Sequence, residues 1–374
     1  MTDRPAWAEV DLSAIAHNAR QFTACIGPSC ALCAVVKADG YGHGAVAAAR
    51  AALDAGASYL AVAIASEGIE LRAAGFSERL LVMGRTFKEQ AARAAGHGLD
   101  LAVGSEEEAR YLSDAGVETG TRVSAHLKID TGMRRLGVPW TGAVALARRI
   151  ASLPGLRLEG AFSHFASADD ADLSFAREQL SRFLEAVASI EEAGLALSLR
   201  HIANSAGALA LPEARLDMVR VGIALYGLAP SPEICGLADL RPAMRLAARV
   251  SALRDVAAGE TVGYSRAWKA PRASRIATIP LGYADGWPRA LSGRLPVAFA
   301  GGRAPIVGKI CMDQFMVDAT GLDSLRSGDE VTLFGRGGPS ADEVAAALGT
   351  INYEVVCMIG KRVPRVYRDG ARAV

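Results

Sequence analysis

Apolar runs of strand length recur along the first two-thirds of the chain, each followed by a stretch with helical period. No other feature narrows the possible folds as much. The runs fall at 32–36, 59–64, 79–83, 99–103, 123–129, 156–162, 197–202 and 218–221. Helical stretches at 45–55, 66–74, 87–95, 105–115, 141–151 and 172–193, and a shorter one at 205–211, lie between them. Ser66 beside Glu67, and Ser105 with Glu108 three residues on, read as helix openings. Strands alternating with helices call for parallel βαβ units. Eight strands within about 200 residues suit a (β/α)8 barrel better than an open doubly wound sheet, and no dinucleotide fingerprint supports the open sheet.

After residue 228 the texture changes. Pro230, Pro232 and Pro242 cluster, and apolar β segments follow at 244–253, 276–280, 295–299, 304–310 and 330–334. One helix, 340–348, interrupts them. The expected architecture is α/β plus β. A TIM-like barrel spans 1–236, its first residues able to pair with the second domain, and a mainly β domain spans 237–374. The 374 residues suffice for two such cores. A net charge of +1 gives no electrostatic case for nucleic acid or an anionic membrane as partner. Arg50 and Asp54 interrupt the longest apolar window, so no membrane-spanning helix is expected. The first residues, MTDRPAWAEVDLSAI, lack the apolar core of a signal peptide. The six cysteines are too sparse for a disulfide scaffold, and although Cys30 and Cys33 form a CxxC-like pair, its apolar flank runs into a strand and argues against redox or metal chemistry. A cytoplasmic protein with reduced thiols and no metal is the expectation.

The C-terminal ends of barrel strands share one face, where such folds carry their sites. Lys37 follows the first strand inside CAVVKADGYGHG (33–44), either as a surface cation closing the element or as an amine held for chemistry. Lys128 and Asp130 end the fifth strand, Ser163-His164-Phe165 the sixth, and Ala203-Asn204-Ser205 the seventh. Arg220, Gly222 and Ile223 end the eighth. Ser205 at a helix start, with the N–H groups around Gly222 and Ile223, suits a phosphate. A lysine across the rim can form a Schiff base with an aldehyde. Phosphate plus such a lysine is pyridoxal 5′-phosphate (PLP) chemistry. Arg220 facing the pyridine nitrogen would keep its own proton, its pKa being above roughly 12. That weakens the electron sink and suits racemisation better than decarboxylation or transamination. A racemase needs a base on each face of the α-carbon. Lys37 is one. Tyr264, in the glycine turn Val262-Gly263-Tyr264, offers the other if His164 and Arg220 lower its pKa; it is otherwise a turn or core tyrosine.

Segments along nearly the whole chain resemble the alanine racemase family, in that family's order: AVVKADGYGHG (34–44), HLKIDTGMRRLG (126–137), FSHFA (162–166), HIANSAG (201–207), VRVGIALYG (219–227), VGYSRAW (262–268), PLGYADGWPR (280–289), GKICMDQ (308–314) and INYEV (351–355). The resemblance implies a PLP-binding barrel with a C-terminal β domain, acting on L- and D-alanine as a homodimer with shared active sites. By resemblance, Lys37 holds PLP and is the base toward D-alanine, while the partner subunit's Tyr264 is the base toward L-alanine. Tyr41, Ser205, Gly222, Ile223 and Tyr353 match positions around the phosphate, and Arg220 matches the pyridine partner. His164 and His201 support Arg220, and Asn204 lies beside Ser205 in the same segment. Arg135 and the backbone of the partner's Met312 match positions that orient the substrate carboxylate. Lys128 matches a position often carbamylated. Tyr283, Asp313 and the partner's Tyr353 match the narrow substrate entry. Other readings are a broader-specificity racemase, a PLP barrel decarboxylase, and a non-catalytic PLP carrier. Arg220 and the Tyr264 segment argue against the decarboxylase, and the β domain against the carrier. His43 and His126 read as scaffold histidines, Trp268 and Trp287 as packing residues.

Overall fold

The computed structural model describes residues 4–370 and the backbone of 372–373. By its contacts the chain divides into two compact units: residues 15–40 with 45–241, and residues 4–14 with 41–44 and the chain from Pro242 on.

The first unit is a nearly closed barrel of parallel strands. After β1 (Ala6–Asp11) and α1 (Leu12–Ile26) come β2 (Ala31–Val35), β3 (Tyr59–Val62), β4 (Arg79–Val82), β5 (Asp100–Val103), β6 (Val123–Asp130), β7 (Leu156–Phe162), β8 (Leu199–His201) and β9 (Met218–Val221). β2 through β8 pair in chain order, and β9 returns to pair with β2. Two backbone bonds bridge β8 and β9: Asp217 N–H to Arg200 O at 3.1 Å and Arg220 N–H to Ala203 O at 3.0 Å. An ion pair between Arg200 and Asp217 (2.7 Å) reinforces that seam. β3 and β5 are buried at every residue. A strand with the barrel interior on one face and helices on the other is mostly apolar on both. The helices between strands are α2 (Ala45–Asp54), α3 (Ala65–Ala73), α4 (Lys88–Gly96), α5 (Glu106–Glu118), α6 (Ala143–Ser152), α7 (Ser174–Glu192) and α8 (Ser205–Ala210). In α2 the buried positions are Ala45, Ala48, Ala49 and Ala52, an i, i+3, i+4, i+7 stripe of small side chains.

Two helix openings differ from expectation. Ser66 lies inside α3, whose N-cap is Ile64; Glu67 reaches back to the N–H groups of Ala63 (2.9 Å) and Ile64 (3.2 Å). Ser105 does cap α5, accepting from Glu108 N–H at 3.2 Å. The Glu108 carboxylate, however, takes the N–H of Gly104 (2.6 Å), so the box is displaced by one residue.

In the second unit one large ten-stranded sheet is built from β1 and nine later strands: β10 (Met244–Arg249), β11 (Ala252–Val256), β12 (Ser274–Ile279), β13 (Pro296–Phe299), β14 (Gly302–Val307), β15 (Phe315–Asp318), β16 (Glu330–Phe334), β17 (Arg365–Asp369) and the short β18 (Arg372–Ala373). β1 runs antiparallel to β10 and parallel to β17, with Ala8 opposite both Leu246 and Arg365. Trp287 is fully buried and packs on Phe315, ring centroids 6.4 Å apart. α9 (Ala341–Leu348) opens with a complete capping box between Ser340 and Glu343, and α10 (Asn352–Cys357) follows. Among the described residues no helix is long and apolar enough to cross a membrane.

Candidate active site

Lys37 is the second residue past β2 and is half-buried. Ala38, Asp39, Gly40 and Tyr41 after it all have φ between 52° and 61°. This is a turn of left-handed helix where the glycines promise only a loop. Residues with a side chain cost about 1–2 kcal/mol each in that conformation, so neighbouring contacts must impose it. Ala38 N–H donates to Glu67 (2.6 Å), Gly40 N–H to Val36 O (2.9 Å), and Asp39 accepts from Ala45 N–H (2.9 Å).

On the same barrel rim, Arg220 in β9 is 3% exposed. Its Nη1 meets His201 Nδ1 at 2.7 Å. Its Nη2 donates to Ser163 O (2.8 Å) and Ile202 O (3.1 Å) and lies 3.2 Å from His164 Nδ1. None of these acceptors is a carboxylate. Burial pushes the guanidinium down to about 10, still charged at neutral pH. Burial first, then the charge of Arg220, holds His164 and His201 well below the usual imidazole range. Phe162 stacks on His201 at 5.0 Å, rings 6° from parallel, which fixes the plane of that imidazole.

The loops after β8 and β9 are tied together. Ser205 Oγ accepts from Gly222 N–H at 2.9 Å, and Asn204 Oδ1 caps α8 by accepting from Gly207 N–H at 2.9 Å. Ile223 opens a buried 3-10 turn, whose Tyr226 hydroxyl donates to Val35 O at 3.1 Å. Ser205, Gly222 and Ile223 are thereby anchored to the strand that leads into Lys37.

After β6, Asp130 Oδ1 accepts from Gly132 N–H (2.9 Å) and Arg134 N–H (3.1 Å), folding the chain so that exposed Arg135 joins a small cleft with Lys128, Ser163 and His164. The Lys128 amine lies 4.4 Å above the Phe162 ring. Burial first, then repulsion by Arg220 and Arg135, holds it well below the usual lysine range. A cavity of about 50 Å³ abuts Lys128, lined also by Arg85, Gly104, Glu108 and Gly137. A Cβ on Gly137 would come within 2.7 Å of Lys128 O, so this approach requires glycine. The thiols of Cys30 and Cys33 are pushed up to about 11 and about 12 by burial, which leaves them inert near neutral pH.

The second unit carries the remaining candidates. Tyr264 is 66% exposed, on a turn with positive φ at Gly263, Ser265 and Arg266. It borders an open cleft of about 650 Å³ together with Met312, Asp313, Gln314 and Met316. Tyr283 N–H donates to Cys311 O (3.0 Å) and Ala284 N–H to Met312 O (3.0 Å). A Cβ on Gly282 would overlap both of those carbonyls, so the two segments meet only through glycine. Asp313 is held by Arg362 at 2.8 Å, and Arg362 also pairs with buried Asp285 at 3.4 Å. Tyr41 and Tyr353 of the same chain face each other with ring centroids 6.3 Å apart.

The barrel therefore gathers Lys37, Lys128, Arg135, His164, His201, Asn204, Ser205, Arg220, Gly222 and Ile223 at its strand ends. Tyr264, Met312 and Asp313 share one cleft in the other unit. Sequence reasoning missed Gln179, which is fully buried in α7. Its amide donates to Thr131 Oγ1 (3.2 Å) and His164 O (3.1 Å) and accepts from Ala166 N–H (2.9 Å), joining the loops after β6 and β7. A glutamine within the apolar stripe of Ala176, Leu180 and Phe183 was the available signal.

Comparison with known proteins agrees over the full length. Family models match the alanine racemase N-terminal domain over residues 10–230 and the alanine racemase C-terminal domain over residues 243–367. The chain is 50% identical to an alanine racemase of Desulfovibrio desulfuricans, covering 98% of each. An alanine racemase structure from Clostridium difficile 630 superposes with a TM-score of 0.97 at 36% identity, covering 100% of this chain and 98% of that one. A Bacillus anthracis alanine racemase structure with bound L-Ala-P superposes at 0.95, also at 36% identity, covering 100% of this chain and 97% of that one.

Proposed function

The chain belongs to the alanine racemase family, and from that membership we propose that it interconverts L-alanine and D-alanine with PLP as cofactor. The names of its relatives, and the L-Ala-P bound to the Bacillus anthracis protein, support alanine as substrate. The observation that carries the proposal is the setting of Arg220: a buried cation whose acceptors are two carbonyls and two imidazoles.

The residues present fit PLP. Lys37 would hold it covalently, and Ser205 and the N–H groups of Gly222 and Ile223 would hold its phosphate. Arg220 would donate to the ring nitrogen and keep its own proton, since a group near 10 stays charged at neutral pH. When bound, PLP supplies the electron sink that acidifies the α-hydrogen of an amino acid. A non-acidic partner at the ring nitrogen weakens that sink, which suits brief proton exchange more than decarboxylation.

The chain's own groups supply the rest. The Lys37 amine takes or returns the α-proton on the face that yields D-alanine, and the partner subunit's Tyr264 does so on the opposite face. A homodimer is thus part of the proposal, and the exposure of Tyr264 supports it. Arg135 and the backbone of the partner's Met312 hold the substrate carboxylate. His164 and His201 support Arg220, and Asn204 fixes the helix that carries Ser205. Lys128 is suited to carbamylation, because only a neutral amine adds carbon dioxide and this one is held well below its usual range. Its nitrogen bonds the carbon, one proton leaves to water, and the new carboxylate would hold Arg135 by charge-assisted hydrogen bonds. Tyr283, Tyr353 and Asp313 narrow the entry, favouring alanine over serine or lysine. A cytoplasmic enzyme feeding D-alanine to peptidoglycan, or degrading alanine, is the cellular role proposed.

Incubation with L-alanine and PLP in D2O tests this. Loss of optical activity with matching α-deuterium uptake is expected. PLP bound without either change would overturn the proposal.

A further inference from the structure

A file of buried polar side chains crosses the barrel from the starts of its strands to Arg220. At its foot, Tyr59, Arg79 and Asp100 are the first residues of β3, β4 and β5. The Tyr59 hydroxyl donates to Asp100 Oδ2, which also accepts from Arg79 Nε at 2.9 Å. His126, within β6, has Nε2 3.3 Å from the Tyr59 hydroxyl and Nδ1 3.1 Å from His201 Nε2. His201 Nδ1 meets Arg220 Nη1 at 2.7 Å. Tyr59, Asp100, His126, His201 and Arg220 are all at most 4% exposed.

The direction of every bond is forced. A guanidinium only donates, so His201 Nδ1 accepts and the proton of that ring sits on Nε2. Nε2–H then donates to His126 Nδ1, which places the His126 proton on its own Nε2. That N–H donates to the Tyr59 oxygen. Starting from the foot gives the same order: the Asp100 carboxylate only accepts, so the Tyr59 hydroxyl turns toward it and offers its lone pairs to His126. Barrel interiors are ordinarily filled by branched aliphatic side chains, and a buried ionic group adds little net stability over an apolar one of similar volume. Filling this interior did not require five polar groups in register.

We propose that Tyr59, Asp100 and His126 are positioning residues for Arg220, holding His201 as the neutral Nε2–H tautomer so that its Nδ1 always faces the guanidinium as an acceptor. The effect on turnover rests on Arg220 serving the cofactor ring as described above; the tautomer does not. Asp100→Leu frees the file to reverse. With no acceptor at its foot, the Tyr59 hydroxyl can turn to His126 Nε2, and His126 Nδ1–H can donate to His201 Nε2. His201 then presents Nδ1–H to Arg220, donor against donor.

Nitrogen-15 NMR of the histidine side chains in the holoenzyme tests this. The wild type should show Nε2–H tautomers at both His126 and His201. Asp100→Leu should add an Nδ1–H population at His201 and lower kcat roughly tenfold to a hundredfold, the scale of one misplaced hydrogen bond to a charged group. KM for alanine should stay within about twofold, because Arg220 serves the ring and not the substrate carboxylate. Asp100→Asn, whose carbonyl oxygen can take the bonds of both Tyr59 and Arg79, should keep the wild-type tautomers and most of the rate. A wild-type His201 protonated on Nδ1, or wild-type tautomers in Asp100→Leu, would overturn the proposal. Should Asp100→Leu not fold, Tyr59→Phe decides: it must shift the His126 Nε2 resonance, and an unmoved resonance sinks the idea. A protein that folds but racemises nothing would refute the alanine reading alone, since the spectra still report the tautomers.

Discussion

The two sets of candidate site residues are positioned by opposite means. On the barrel, Arg220 and His201 are buried and hold each other at 2.7 Å, with Phe162 fixing the ring plane. In the second unit, Tyr264, Tyr283 and Met312 are exposed, and their backbone sets their place. Positive φ around Tyr264, and a glycine contact between Gly282 and residues 311–312, do what side-chain bonds do in the barrel. In the first arrangement, losing one member strands its neighbours without partners. In the second, the side chain can change while its support stays intact.

Four substitutions or conditions can break or sharpen that contrast. The largest effect belongs to Lys37→Ala, which would remove both the proposed covalent anchor and a proposed base, the latter alone worth roughly 10²–10⁴-fold. Racemisation should vanish, and PLP should no longer stay on the chain through borohydride reduction and denaturation. Tyr264→Phe should slow conversion of L-alanine by about 10²–10⁴-fold and leave the melting temperature unchanged, because the hydroxyl is on an exposed ring. A melting temperature several degrees lower would mean the exposed set is also structural. Arg220→Lys should lower both turnover and stability. An ammonium cannot reach all four acceptors, and hydrogen bonds to charged groups contribute about 1.5–3 kcal/mol each. Urea unfolding at unchanged stability would place Arg220 with Tyr264 in kind.

The gentlest test is pH. His126 is pushed down to about 4, and His164 and His201 also lie below the usual range, burial being the first cause in each. Below about 6.5 the unfolded chain binds protons that these folded imidazoles refuse. Their contribution to stability is therefore full above that pH and is lost as pH falls from 6.5 toward 4. Each imidazole adds up to about 1.4 kcal/mol per pH unit to the slope. Urea midpoints measured between pH 7 and pH 5 should fall steadily; a flat series would mean that the barrel accommodates charged imidazoles.

Eight strands and their helices were legible because barrel strands are apolar on both faces, and an alanine stripe such as that of α2 has a clear period. β1 was not legible as a strand in AWAEVD, although the first residues were expected to be able to pair with the second domain, because its partners β10 and β17 lie more than two hundred residues away. The rim residues were legible from their place at strand ends. Their bonds were not: nothing in the spacing of Tyr59, Asp100, His126 and His201 reveals a file, since it is assembled from four strands. The left-handed turn was hidden for a related reason. Ala38, Asp39 and Tyr41 are not residues that favour positive φ as glycine does, and contacts with Glu67 and Ala45 decide it.

The contact pattern assigns Lys37–Gly40 to the barrel and Tyr41–Gly44 to the β unit, and the N-terminal strand also belongs to the latter. The chain therefore changes unit after Ala14, after Gly40, after Gly44 and after Arg241. No single cut yields either unit whole. A stand-alone expression fragment or a single crossover that treats the halves as modules would leave β17 and β10 without the strand between them and Tyr353 without Tyr41. Either unit can pass intact between genes only by more than one crossover.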